Sequence, residues 1–167
     1  ESDVPFVDDG GLPGTDYAVE FNGTTTVIDC GSDASIDDIP SGADMTVAGW
    51  FRLDATSTST FTIAHKGSGL TTGWAVYVAA DDAIYGYVPL ATTNMQCSAG
   101  ADLRDGKWHY FAFYYDDTAQ TGTISVDGVW GASDTGIGAY QSDAASDLEM
   151  GRLTALSSFW DGALAWI

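Results

Sequence analysis

The chain has 167 residues, enough for one domain with a sizeable core, and its 45% hydrophobic and 13% aromatic content separates it from disordered tails. Five Lys+Arg stand against 24 Asp+Glu, and a formal net charge of -19 excludes phosphate-backbone recognition of nucleic acid and attraction to an anionic membrane surface. No apolar run approaches the roughly 20 residues of a membrane-spanning helix, so membrane insertion is not expected.

In chain order, residues 1–15 carry Pro5, Gly10, Gly11, Pro13 and Gly14 among acidic residues and read as a flexible arm or linker, leaving 16–167 as the folded domain. Strand patterns begin at Tyr17. Alternation places Tyr17, Val19 and Phe21 on one face, Asn22-Gly23 is a hairpin signal, and 25–30 is the expected return strand. A polar loop over 31–44 contains Pro40. The strand from Met45 directs Met45, Val47, Phe51 and Leu53 to one face and Thr46, Ala48, Trp50 and Arg52 to the other. The Ser/Thr tract 56–60 reads as a loop tip. Further strands follow at 61–66, 73–78 and 84–88, with a weaker one near 95–97.

Asp105-Gly106 opens the aromatic-rich run Lys107-Trp108-His109-Tyr110-Phe111-Ala112-Phe113-Tyr114-Tyr115, which closes at Asp116-Asp117. A second run over 122–126 leads into Asp127-Gly128, the pattern of an antiparallel meander. Strands at 148–152 and 159–167 end the chain. No long segment shows capped helical periodicity; 144–145 and 153–156 each suit a single turn. Short strands at regular spacing with Gly- and Asp-rich turns indicate a β-sandwich or barrel. The sandwich is favoured because several strands carry apolar residues on both faces.

The acidity is mostly aspartate, since only Glu1, Glu20 and Glu149 are glutamates. It suits a solvated surface in a salty or extracellular medium, a carboxylate-bound cation, or a basic partner. Cys30 and Cys97 either pair in one disulfide or remain free thiols, and no CxxC spacing suggests zinc.

Several segments, in order, resemble a laminin-G-like domain of the concanavalin A-like lectin/glucanase superfamily. They are Tyr17-Ala18-Val19-Glu20-Phe21-Asn22-Gly23 with Val27-Ile28-Asp29, Met45-Thr46-Val47-Ala48-Gly49-Trp50-Phe51, Asp105-Gly106-Lys107-Trp108-His109-Tyr110, Val126-Asp127-Gly128, Met150-Gly151-Arg152 and Phe159-Trp160-Asp161-Gly162-Ala163-Leu164. The resemblance covers about Asp16 to Ile167. It implies an all-β jelly-roll sandwich of two curved antiparallel sheets, with the last strand pairing near the first. It also implies that this last strand lacks its end at Ile167.

Glycoside hydrolysis needs two carboxyl groups flanking the bond. The related glucanases carry Glu-x-Asp-x-x-Glu, a spacing that none of the glutamates here shares; Asp147-Leu148-Glu149 is the nearest approach. Of the two histidines, His109 reads as hydrogen-bonded in the sheet and His65 as a strand-end surface residue. No catalytic residues are expected, and a degenerate glycosidase is only a remote alternative. The resemblance implies a calcium site tying a loop near the first strands to the last strand, and the matching positions are Asn22, Gly23, Asp44 and Asp161. The competing reading makes Asn22-Gly23 and Asp161-Gly162 turns chosen for backbone geometry.

Glycan binding stacks aromatic rings on sugar faces. The candidates are Trp50, Tyr77, Tyr85, Tyr87 and Trp130, together with Trp74, against the alternative that most tryptophans fill the core. The expected function is a non-enzymatic binding or adhesion module. It would recognise carbohydrate or protein on a cell or particle surface, outside the cytoplasm, with calcium as a candidate cofactor. The alternative is a structural component of an extracellular or viral assembly, packed against neighbouring subunits.

Overall fold

Short runs with period-two alternation bury one side of each strand and need a second layer to cover it. The computed structural model describes residues 6–7, 18–54, 59–153 and 158–165, and among these the runs form strands and no helix. One sheet contains eight strands. Seven of them, β1 (Phe6–Val7), β2 (Ala18–Asn22), β16 (Asp161–Ala165), β4 (Met45–Leu53), β9 (Trp108–Asp116), β10 (Thr121–Val126) and β11 (Val129–Trp130), lie side by side in that order, and β12 (Asp134–Thr135) also pairs with β10. The six-stranded sheet runs β3 (Ile28–Asp29), β13 (Leu148–Met150), β5 (Phe61–Lys66), β6 (Trp74–Val78), β7 (Ile84–Val88), β8 (Met95–Ala99). A small ribbon joins β14 (Arg152–Leu153) to β15 (Ser158–Phe159). The sheets are antiparallel and pack as a jelly-roll sandwich, with β16 seated between β2 and β4 as expected of the last strand.

The arm expected over 1–15 lies outside the described residues apart from Phe6–Val7, whose backbone pairs with Val19 and Ala18. Tyr17, most of the 56–60 tract, most of the 153–156 turn and the chain end at 166–167 also lie outside them.

The hairpin expected at Asn22-Gly23 does not form. Asn22 Oδ1 accepts the backbone N–H of Thr24 at 3.0 Å, Thr25 at 2.8 Å and Thr26 at 3.1 Å, and Gly23 N–H donates to the Trp160 carbonyl at 2.8 Å. This knot satisfies the turn locally and carries the chain out of the first sheet. The expected return strand shortens to β3, which pairs with β13 in the opposite layer.

The core lies between the layers. Phe21, Phe51, Phe111, Phe113, Tyr115 and Ile124 from the larger sheet meet Ile63, Val76, Ile84, Val88, Met95 and Cys97 from the smaller. Trp160 is fully buried beside Phe51, ring centroids 5.8 Å apart and nearly perpendicular, an edge-to-face contact. Trp74 also belongs to this core. Gly86, in the middle of β7, makes room for Phe113: a Cβ there would stand 2.3 Å from the ring.

One buried polar network pins two loops to β5. Lys66, 1% exposed, reaches Asp37 at 2.7 Å and Asp143 at 3.5 Å, and donates to the Ser146 carbonyl at 2.6 Å. Tyr140 donates its hydroxyl to Asp143 at 2.7 Å. Every member has partners, the condition under which a charge tolerates burial.

Candidate ligand-binding faces

Residues directly opposite each other on antiparallel strands share a face. In the larger sheet, Phe51 opposite Leu164 and His109 points inward, so its neighbours point out. The outward rows are Ala163–Arg52–Trp108, Ala165–Trp50–Tyr110, Ala48–Ala112–Ser125–Trp130 and Thr46–Tyr114–Thr123. Aromatic residues from three strands therefore stand over a floor of Ala, Ser and Thr.

The small floor lets rings settle against the sheet. Ala18, Ala163 and Ala165 are buried, with Trp50 and Trp108 packed on them. Trp50 meets Tyr110 with centroids 5.3 Å apart and planes tilted by 58°. The Arg52 guanidinium lies 5.5 Å from the Trp108 ring centroid, a cation–π contact. It is held there by Asp54 at 2.8 Å and Glu20 at 3.3 Å. Tyr110 is 37% exposed and Trp130 58%. Trp50 and Trp130, both expected as ligand contacts, thus share a face with Trp108, Tyr110 and Tyr114, which the sequence reading missed. Alternation within the aromatic run carried the signal, but only the β4–β9 register shows which of its residues join Trp50.

The six-stranded sheet has its own outward rows, Asp29–Glu149–His65–Ala75–Tyr87–Gln96 and Thr62–Tyr77–Tyr85–Ser98. Tyr77, Tyr85 and Tyr87 do gather here, and the Tyr77 and Tyr85 rings stack at 5.4 Å with planes 9° apart. Yet Tyr77 and Tyr87 are only 7% and 8% exposed, packed with Ala75, Leu70 and Ala79. Their hydroxyls accept from Gln96 at 2.8 Å and Asn94 at 2.6 Å, while Tyr85 donates to Asp81 at 2.7 Å. Burial pushes the Tyr77 phenol up to about 12. This cluster is packing; Tyr77 and Tyr87 offer no open ring face for a sugar. The ligand set expected from sequence therefore divides between opposite sides of the sandwich.

Of the four residues expected to hold calcium, Asn22, Gly23 and Asp161 lie together and Asp44 lies apart. Asn22 pairs with Asp161 across β2 and β16, beside the Leu53 end of β4. Asp44 precedes the other end of that nine-residue strand, about 30 Å away at ~3.3 Å per residue. There it accepts from the Tyr114 hydroxyl at 2.8 Å and the Asp117 N–H at 3.2 Å. The Asn22 side-chain oxygen is taken up by the N–H groups of its own turn, whereas calcium requires six to eight oxygens. Among the described residues no group of three or more His, Cys, Asp or Glu side chains is placed to hold a metal.

His109 bridges two carboxylates, Asp127 at 2.8 Å and Asp105 at 3.1 Å, and so ties the turns at either end of the β9–β10 hairpin region together. Lys107 and His109 hold the Asp105 carboxyl down at about 2. His65 is not a surface residue: it is 3% exposed and faces Glu149 at 3.8 Å. Both cysteines are free thiols, Cys30 exposed and Cys97 buried, with burial pushing the Cys97 thiol up to about 12.

A laminin G family model, described as concanavalin A-like lectin/glucanases superfamily, matches residues 22–166. The chain belongs to this superfamily. Among solved structures, the laminin-G-like domain is similar to mouse laminin alpha1 chain, domains LG4-5, with a TM-score of 0.66 and 13% identity over 89% of this chain and 39% of that one. It is similar to the binding domain of Paraclostridial Mosquitocidal Protein 1, with a TM-score of 0.71 and 10% identity over 99% of this chain and 41% of that one. It is also similar to Ruminococcus gnavus IT-sialidase CBM40 bound to alpha2,3 sialyllactose, with a TM-score of 0.62 and 12% identity over 89% and 85%. At these identities the likeness shows the fold. The laminin-G-like domain spans 39% of the laminin chain and 85% of the CBM40 chain. Sequence comparison with curated proteins found no match.

Proposed function

We propose that this domain is a non-enzymatic binding module that recognises carbohydrate on a cell or particle surface outside the cytoplasm. The observation that carries the reading is the outer face of the larger sheet, where Trp50, Tyr110, Trp108 and Trp130 stand together over small residues. Sugars present apolar C–H faces that stack on such rings, with polar groups at the margin fixing orientation; Arg52, Glu20 and Asp54 stand at that margin. The similarity to a carbohydrate-binding module seen with sialyllactose and to laminin G domains supports it. No catalytic role is assigned to the Asp147–Glu149 pair, since Arg152 holds the Glu149 carboxylate.

A glycan array tests this directly, probed with the intact domain and with Trp50→Ala and Tyr110→Ala, once in calcium and once in chelator. Binding by the intact domain that both variants lose supports the assignment; silence in both conditions sinks it. Calcium assistance is a further part of the proposal, read from the difference between the two conditions. Binding lost only in chelator would show that a cation takes part.

A second reading has its own observation. β11 is an outer strand of its sheet, and Val129 and Trp130 on it are 71% and 58% exposed. Exposed apolar side chains of this kind offer a packing surface to another chain, as a subunit of an extracellular or viral assembly would require. Size analysis separates the two: concentration-dependent assembly lost in Val129→Lys favours the structural reading.

A further inference from the structure

The rings on the outer face of the larger sheet are spread along it rather than gathered at one point. By register, the row Ala48–Ala112–Ser125 lies between the row of Trp50 and Tyr110 and the row of Tyr114, and Trp130 stands at its far end, opposite Ser125. Small side chains in the middle row, with rings beside it, make a shallow trough that crosses the strands. Ala48 and Ala112 on its floor are only partly buried, so the floor keeps contact with solvent. Three inter-strand steps of ~4.8 Å separate β4 from β11, which puts Trp50 and Trp130 about 15 Å apart. That span is longer than one sugar ring. Resting on the carbohydrate reading of this face, we propose that the trough takes a neutral polysaccharide along its length, as a flat ribbon of equatorially linked pyranoses, and not the terminal sugar of a glycan.

Charge selects the neutral chain. The sequence has five Lys+Arg, and each is ion-paired with a carboxylate. Arg52 pairs with Asp54 and Glu20, Lys66 with Asp37 and Asp143, Arg104 with Asp82, Lys107 with Asp105, and Arg152 with Glu149. Arg52 is the cation among the outward rows, and Asp54 grips it through two nitrogens, each at 2.8 Å. A uronate or a sialate would have to displace Asp54, and would meet Asp54 and Glu20 as like charges. Neutral hydroxyls carry no such cost and can pair with those same carboxylates and with the exposed Thr46. Shape selects the ribbon. A terminal sugar is held by polar groups that converge on one ring, whereas these aromatic side chains come from three strands and share one open face. Their π-faces offer successive stacking places to a straight chain that turns its C–H surfaces toward the sheet. A coiled, axially linked chain leaves that plane before it spans the trough.

The test is titration calorimetry of the whole domain with cellobiose, cellohexaose, maltohexaose and sialyllactose, each in calcium and in chelator. Cellohexaose should bind about tenfold tighter than cellobiose, because only the longer chain reaches from Trp50 to Trp130. Trp130→Ala, at a ring 58% exposed, should bring cellohexaose down to the level of cellobiose. Maltohexaose and sialyllactose should both bind more weakly than cellohexaose. Equal affinity for cellobiose and cellohexaose overturns the inference, since a reader of chain ends gains nothing from length. So does a preference for maltohexaose or sialyllactose, or undiminished cellohexaose binding in Trp130→Ala. In each of those cases, binding that Trp50→Ala abolishes leaves the carbohydrate reading of the face standing and removes only the ribbon. No heat from cellohexaose together with a positive glycan array has the same meaning. No heat from any probe together with a silent array sinks both.

Discussion

Asp38 and Asp143 hold each other through their backbones: the Asp38 N–H donates to the Asp143 carboxylate, and the Asp143 N–H donates to the Asp38 carboxylate, each at 2.8 Å. The pair locks the 31–44 loop to the segment before β13, although the two are far apart in sequence. Lys66 beneath them supplies the positive charge that makes the arrangement tolerable.

Removing that charge should be costly. Lys66→Met leaves Asp143, 1% exposed, without its cation, and the loss should be about 3–5 kcal/mol by denaturant unfolding. The Lys66→Met, Asp143→Asn double variant should lose less than the two single losses added together, because the unpaired charge is gone. Full additivity would mean that the two residues do not communicate.

Stability should fall on mild acidification, and His65 is one cause. Its folded-state imidazole titrates below the ordinary value because burial disfavours the cation. Below about pH 6.5 the unfolded chain binds a proton that the folded chain resists, so stability declines as pH drops from there toward the folded pKa. His65→Gln should flatten the stability profile in that window. Asp105, held at about 2, adds a further loss of stability below about pH 4, where the unfolded carboxyl protonates first.

Gly86→Ala should destabilise by about 1–3 kcal/mol, since the added methyl collides with Phe113 and the core cannot expand to admit it. Phe113→Leu in the same molecule should recover part of the loss by thermal unfolding. An additive double variant would show that the ring is not the obstacle.

Asn22→Ala should cost about 1–2 kcal/mol, because the backbone N–H groups of Thr24, Thr25 and Thr26 lose their shared acceptor. The loss should be the same in calcium and in chelator. A loss seen only in calcium would make Asn22 a cation ligand after all.

Trp130→Ala should leave stability within about 0.5 kcal/mol, as the side chain is 58% exposed, while weakening glycan retention on an affinity column. Loss of stability together with retention would place the ring in the fold rather than at the ligand.

Much of this architecture can be read from alternation. The inward set of β4, Met45, Val47, Phe51 and Leu53, follows from period two alone, and Asp127-Gly128 marks the turn between β10 and β11. Strand partners follow from neither. Asn22-Gly23 has the composition of a hairpin, but Asn22 can satisfy several amides by itself, and Gly23 N–H and Asn22 are engaged by Trp160 and Asp161, far along the chain. The site was legible in residue type and not in placement. Trp50 and Trp130 proved to share a face, yet Tyr77 and Tyr87 look the same in sequence and are covered by Leu70 and Ala79. Asp44 and Asp161 each sit beside a strand end, but the length of β4 lies between them.

The burial of Lys66 has a practical result at the bench. The sequence contains only two lysines, and the other, Lys107, has a side chain 76% exposed in the turn leading into β9. Amine-reactive dyes and coupling resins will therefore find a single lysine handle, adjacent to Trp108. A sensor chip loaded through that lysine would crowd the start of β9 against the support, and with it the β10–β11 turn that His109 ties to Asp105.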